Sequence, residues 1–217
     1  MTAEQPGERS ERVPLDLASE AVAKRTGLYV VIGGVVFAAA LGGVLGLAFG
    51  RLTGLIVAVV VGVPLILMGL AERRKRIWLE GTTIRQRGFR VRGVDLMRVG
   101  RMEILVADLR GKRTVGITVA GPPGNKAINV ALAAYSGPAG AELGILALRR
   151  LADVFANAEH SSGLVYSQLL VAQLRAEARG AGASERPLHQ LAMMSGGGVR
   201  PRRIDTKVLV RFVAELG

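Results

Sequence analysis

Two apolar stretches placed back to back, residues 27–50 and 52–71, constrain this chain more than anything else in it. Between Leu28 and Phe49, and again between Leu52 and Leu70, there is no Asp, Glu, Lys, Arg or His, and a single charge, Arg51, separates the two. About 20 apolar residues at about 1.5 Å rise cross a hydrocarbon core of about 30 Å, so each stretch is long enough to span a bilayer as a helix. The pattern predicts a transmembrane helical hairpin over 27–71. Ion and proton paths usually need an ionisable group inside the membrane, and carriers usually need more helices. The expectation is an anchor, not a conduit.

Small residues recur at every fourth position: Gly34, Ala38, Gly42, Gly46 and Gly50 in the first stretch, Gly54, Ala58 and Gly62 in the second. On a helix this spacing makes a ridge without bulk, and such ridges let helix backbones approach closely in lipid. An antiparallel pair turning near Gly50 and Arg51 lays Gly46 and Gly42 opposite Gly54 and Ala58. The same ridge also suits a protein partner or a second copy of the chain, giving a homo-oligomer. Pro64 is expected to kink the second span. Lys24 and Arg25 precede the hairpin, and Arg73, Arg74, Lys75 and Arg76 follow it, against Arg51 alone in the turn. The excess of basic residues at the two outer ends places both termini in the cytoplasm. The basic run also suits anionic membrane lipids, at about 1 kcal/mol per basic residue.

The hairpin is retained in this reading, because a secretory signal has a short basic start and an apolar core of about 7–15 residues. The 217 residues carry a net charge of +12, no cysteine and two histidines. Disulfides, thiolate metal sites and cysteine nucleophiles are thereby excluded, and a zinc site is not expected. Arginine far outnumbers lysine, and alanine and glycine are abundant, a bias that points to a GC-rich bacterial genome.

Residues 1–26 mix acids, bases, Pro6 and Pro14 with little apolar content, and read as an unstructured cytoplasmic segment with a short helix over Leu15–Lys24. Residues 72–158 change character. Alternation over Thr83–Arg87, Phe89–Arg92, Val94–Val99, Met102–Asp108, Thr114–Ala120 and Ala127–Ala133, broken by Gly81, Gly88 and Gly93, predicts about six short antiparallel strands. Gly137 and Pro138 are expected to open an amphipathic helix over Ala139–Asn157, its apolar side set by Leu148, Leu151, Ala152 and Phe155. The fold class expected is therefore a membrane α-helical hairpin followed by a small α+β domain, an antiparallel curled sheet capped by a helix. In residues 159–217, Leu164–Ala178 reads as a helix. Glycine-rich stretches follow, and Asp205 caps a terminal helix over Thr206–Leu216, with a strand as the alternative. The apolar end suggests docking, on the domain or on a partner.

This order resembles that of bacterial two-span membrane proteins carrying a pleckstrin-homology-like domain. The residues bearing the likeness are Trp78–Thr83, Arg87 and Gly88, Val94–Leu96, and Leu148–Ala152, within a match running from about Leu28 to Phe155. The resemblance implies that the first group starts a strand, that the Val94 group follows a tight hairpin, and that the closing helix plugs one end of the sheet. It implies binding or scaffolding without a defined chemistry. Two departures stand out: the fold has one strand more than the six counted, and Gly121, Pro122, Pro123 and Gly124 fall inside the sheet region.

No catalytic constellation is visible. The stretch from Gly121 to Ala127 lacks the Gly-Lys-Ser/Thr ending of a phosphate loop, and its prolines remove amide donors. His160, Ser161 and Ser162 are neighbours in sequence, which is not the geometry of a triad. Asp95, Glu103 and Asp108 face many arginines, and salt bridges account for them. Arg85 and Arg87 share one strand face, and Arg90 and Arg92 stand beside them across a hairpin. With Arg73–Arg76 they form the candidate contact for anionic lipid or an acidic partner. Nucleic acid is unlikely on this reading, since Phe89 is the only aromatic among those arginines. The expectation is a non-enzymatic binding module without cofactor or metal at the bacterial inner membrane; the rival is an auxiliary subunit of a transporter or enzyme complex.

Overall fold

In the computed structural model, residues 12–17, 20–74, 76–88, 90–109, 111–122, 126–137, 139–194 and 200–216 are described. The chain forms two compact units, one of residues Ala18–Lys75 with Arg87–Val91 and one of the remainder. The first is a helical hairpin of α1 (Glu20–Phe49) and α2 (Arg51–Arg74). Gly50 turns the chain at φ 96°, a left-handed conformation open to glycine, and its amide donates to the Gly46 carbonyl at 3.0 Å. Pro64 lies inside α2, which continues through it as one element. Outward-facing Val36, Phe37, Val44, Leu47, Leu52, Leu55 and Val60 are exposed, the reverse of a water-facing helix pair. Among the described residues one helical segment, Val31–Phe49, is long and apolar enough to cross a membrane, and Arg51–Leu67 is a shorter apolar one.

The second unit holds two antiparallel sheets. The first contains β1 (Arg12–Pro14), β2 (Arg76–Glu80), β3 (Thr83–Arg87) and β4 (Val91–Asp95), in that order. The second runs β8-β7-β6-β5-β9, from β5 (Arg101–Leu109), β6 (Lys112–Ala120), β7 (Ile128–Ser136), β8 (Ala139–Glu142) and the short β9 (Arg202–Arg203). Alternation decides which faces turn inward. Ile77 and Leu79 on β2, and Met102, Ile104 and Val106 on β5, are buried while their neighbours are not. A bulge interrupts β6 opposite β7 at Val115 and Gly116, where a Cβ on Gly116 would stand 2.9 Å from the Val130 carbonyl.

Helices α3 (Ile145–Ala156), α4 (Gly163–Ala178), α5 (Pro187–Met194) and α6 (Thr206–Glu215) complete the unit, with a 3₁₀ turn at Ala183–Glu185. One buried cluster draws on both sheets and on all four helices, with Leu148, Leu151 and Phe155 from α3 and Leu209 and Phe212 from α6 among its members. The Asp205 side chain caps α6 by accepting from the Lys207 amide at 2.8 Å, the role expected of it. The C-terminal segment thus returns to its own domain.

Several expectations are corrected. Arg12–Leu17 is not an unstructured segment: β1 pairs antiparallel with β2, with Val13 opposite Leu79. Leu15 is buried and its amide donates to the Ile77 carbonyl at 2.9 Å, so the short helix expected from Leu15 begins only at Glu20, as α1. The helix expected from Ala139 starts at Ile145. Ala139–Glu142 is instead a strand paired with β7 across Gly137, whose φ is 61°. Nine strands stand among the described residues against about six expected: β1, β2, β8 and β9 lie outside the alternating stretches, β2 being implied by the resemblance alone, and the two strands expected over Phe89–Arg92 and Val94–Val99 are one, β4. Pro122 is a turn residue whose carbonyl accepts from the Asp95 amide at 3.3 Å, while residues 123–125 lie outside the described ones.

The burial of Leu15 makes a direct test. Leu15→Ala is expected to cost about 2–4 kcal/mol, the range for a buried leucine that leaves a cavity. A thermal midpoint unchanged from the parent protein would return this segment to the unstructured class.

Candidate functional site

The small residues of the hairpin meet along one seam. A Cβ on Gly42 would fall 2.7 Å from both the Ala58 Cβ and the Gly54 carbonyl, and a Cβ on Gly54 would run into the Gly42 carbonyl and the Gly46 backbone. Gly34 lies against Leu65, and a Cβ on Gly62 would come within 3.1 Å of the Ala38 Cβ. Only glycine permits so close an approach of two helix backbones. Gly46 and Gly42 face Gly54 and Ala58, as an antiparallel pair requires. The seam is occupied by α2, so a second copy of the chain has to use another face. Gly50 serves the turn, and a Cβ there would meet no atom within 4 Å.

The candidate basic residues are placed differently. Arg73 and Arg74 end α2, Lys75 lies outside the described residues, and Arg76 opens β2. Arg85 is already engaged: its Nε stands 2.8 Å from Glu80 Oε2, and Arg12 Nε lies 3.2 Å from Glu80 Oε1. The hydrogen bond from Arg12, with the charges of Arg12 and Arg85, holds the Glu80 carboxyl below its usual range. Arg12 also lies 5.9 Å from the centre of the Trp78 ring, a cation–π distance. Arg87, Arg90 and Arg92 are exposed.

The most developed polar arrangement was not visible in the sequence. Glu142, at the end of β8, accepts from the Tyr135 hydroxyl at 2.6 Å on one oxygen. Its other oxygen accepts from Gln173 Nε2 at 2.9 Å and from Arg186 Nη1 at 2.6 Å. Gln173 is fully buried, and its own Oε1 accepts from the Leu188 amide at 3.0 Å. One carboxylate therefore joins β7, β8, α4 and the entry to α5. Charge-assisted bonds of this kind contribute about 1.5–3 kcal/mol each. Burial first, then the bond to Glu142, pushes the Tyr135 hydroxyl well above the usual tyrosine range; Arg186 is raised by its own hydrogen bond to Glu142. Gly140 is needed beside it, because a Cβ there would enter the Tyr135 ring. A cavity of about 440 Å³ opens next to this hub, lined by Tyr135, Glu142, Glu177 and Arg186 among others.

Elsewhere, the Ser162 amide donates to His160 Nδ1 at 3.2 Å, a local turn contact. Asp95 Oδ1 accepts from Thr82 Oγ1 and from the Met97 amide, both at 3.1 Å. Asp108 pairs with Arg113 at 3.2 Å and Glu103 with Arg203 at 3.0 Å. Among the described residues no group of three or more His, Asp or Glu is arranged to hold a metal ion. No family model, curated protein or solved structure matches the chain.

Two outcomes follow from these geometries. Gly42→Leu is expected to lower the thermal midpoint of the detergent-solubilised protein, at about 1–3 kcal/mol for overpacking. Gly43→Leu points into open space and is expected to leave the midpoint unchanged. Equal effects would show that the seam does not hold the hairpin. The raised Tyr135 has a pH signature. Unfolded tyrosine ionises near pH 10 while the folded form keeps its proton, so this contribution is complete below about pH 10 and is lost as pH rises beyond it. Tyr135→Phe is expected to lower stability at pH 7 and to flatten the alkaline decline in a urea titration repeated from pH 8 to pH 11.

Proposed function

We propose that the chain is an integral protein of the bacterial cytoplasmic membrane. In this reading α1 and α2 span the bilayer as a hairpin, both termini are cytoplasmic, and a pleckstrin-homology-like domain binds or scaffolds without catalysing a reaction. The observation that carries the proposal is the inside-out character of the hairpin. Its bulky apolar side chains point outward, and Gly34, Gly42, Gly54 and Gly62 face inward, a distribution suited to lipid and costly in water. The basic residues at its outer ends favour a cytoplasmic location for both termini.

The domain assignment rests on connectivity. Strands β1–β4 form one antiparallel sheet, β5–β7 form the core of the next, and α3 follows to cover the shared core. This supports the seven-strand-plus-helix plan that the resemblance implies, with the helical hairpin inserted between the first and second strands. The exposed Arg87, Arg90 and Arg92 suit anionic headgroups or an acidic partner. Glu80, Asp95, Asp108 and Glu142 each accept two or more donors, which suits structural work over general acid–base chemistry.

A second reading, an auxiliary subunit of a membrane complex, draws on the outer face of α1. Gly33 and Gly43 lie there, where an added Cβ would meet nothing within 4 Å, beside exposed Ala39 and Ala40, and leave room for another helix.

Alkaline carbonate extraction of membranes containing the full chain tests the anchor. The protein is expected to remain with the bilayer. Release into the supernatant would overturn the spanning hairpin, whatever the domain binds.

A further inference from the structure

The outer edge of β5 is closed by parts of the chain far away in sequence. The Met102 carbonyl accepts from the Tyr166 hydroxyl at 3.0 Å, and the Ile104 carbonyl accepts from the Ile204 amide at 3.0 Å. Val106 is opposite Arg202, and Leu105 is opposite Arg203. Residues 200–216 therefore act as a strap that protects an edge which would otherwise template pairing with another strand. Its hold comes from a two-residue strand, the Ile204–Ile104 backbone bond, the Arg203–Glu103 pair with Arg203 two-thirds exposed, and a ten-residue helix that buries Leu209 and Phe212, with Ile204, Val213 and Leu216 partly buried against the core. In sequence the strap follows α5 after residues 195–199, three of them glycine.

We propose that this strap exchanges between two copies of the chain, so that β9 and α6 of one copy close the β5 edge of the other. The contacts are the same within and between chains, since each vacated edge is identical to the one the strap has left. Exchange of a terminal element is a low-cost route to a symmetric dimer. The surface is self-complementary in charge: Glu103 on the edge meets Arg203 on the strap. The arrangement does not rest on the membrane reading, because edge and strap belong to the same compact unit.

The absence of cysteine makes the test clean. Leu105 and Arg203 face each other as a non-hydrogen-bonded pair, since the bond runs through the adjacent Ile104–Ile204 pair, and such pairs bring side chains close enough for a disulfide. The full chain carrying both Leu105→Cys and Arg203→Cys is expected to form the disulfide under mild oxidation, which establishes that the strap sits on the edge. The informative sample mixes Leu105→Cys chains with differently tagged Arg203→Cys chains, co-expressed and then purified in detergent. Exchange predicts a disulfide between the two tags in up to roughly half of the dimers, the statistical share of mixed pairs. A double variant that cross-links within single chains, with a mixture that yields no heterologous product, would overturn the proposal. Failure of both samples to cross-link would overturn the strap itself. Arg203→Cys mixed with chains lacking residues 200–216 and carrying Leu105→Cys separates exchange from random collision: the permanently open edge should raise the heterologous yield, and an unchanged yield counts against exchange.

Discussion

The pairing of β1 with β2 is the constraint on which the rest of the chain depends. The Ile77 amide donates to Asp16 Oδ1 at 3.2 Å across 61 residues of sequence, and all of α1 and α2 lies between those partners. Closing a flexible loop of that length costs about 3–4 kcal/mol in chain entropy. An antiparallel helix pair reduces the cost, because it returns the chain close to where it left. Val13 and Leu15 are the apolar contribution that repays the closure.

Within the hairpin the physics is different. Glycines at Gly42, Gly46 and Gly54 give up side-chain burial to gain backbone proximity, which makes sense where the surroundings are as apolar as a leucine side chain. In water the same surface, with Leu47 92% exposed, would be a severe liability. Packing and solvent are therefore two halves of one argument. The seam explains how the helices hold together, and the outward apolar faces favour the environment in which such a seam is sufficient.

What could be read in the sequence follows from the range of the interactions. The hairpin and its seam were legible because composition and four-residue spacing are local properties. So were β3, β5, β6 and β7, whose alternation is carried by consecutive residues, and the cap at Asp205. Strand β1 was hidden because three residues ending in Pro14, among charges, carry no periodic signal; its structure comes from Trp78, Leu79 and Glu80. Strand β8 was hidden for another reason. Ala139, Gly140 and Ala141 lack the branched side chains of a strand, and the Gly137 turn before them resembles a helix start. Arg85 stood out as one of a set of free cations, yet Glu80 on the adjacent strand engages it.

The hub at Glu142 shows why the polar chemistry escaped that reading. Tyr135, Gln173 and Arg186 are 7, 31 and 44 residues from it, and no motif joins them. A buried carboxylate is costly unless several donors meet it, and here three do. Both oxygens of Glu142 serve to hold α4 and the entry to α5 against the sheet. Those helices lead into the strap that covers the β5 edge. The polar cluster at Glu142 therefore steadies the part of the domain from which that segment departs.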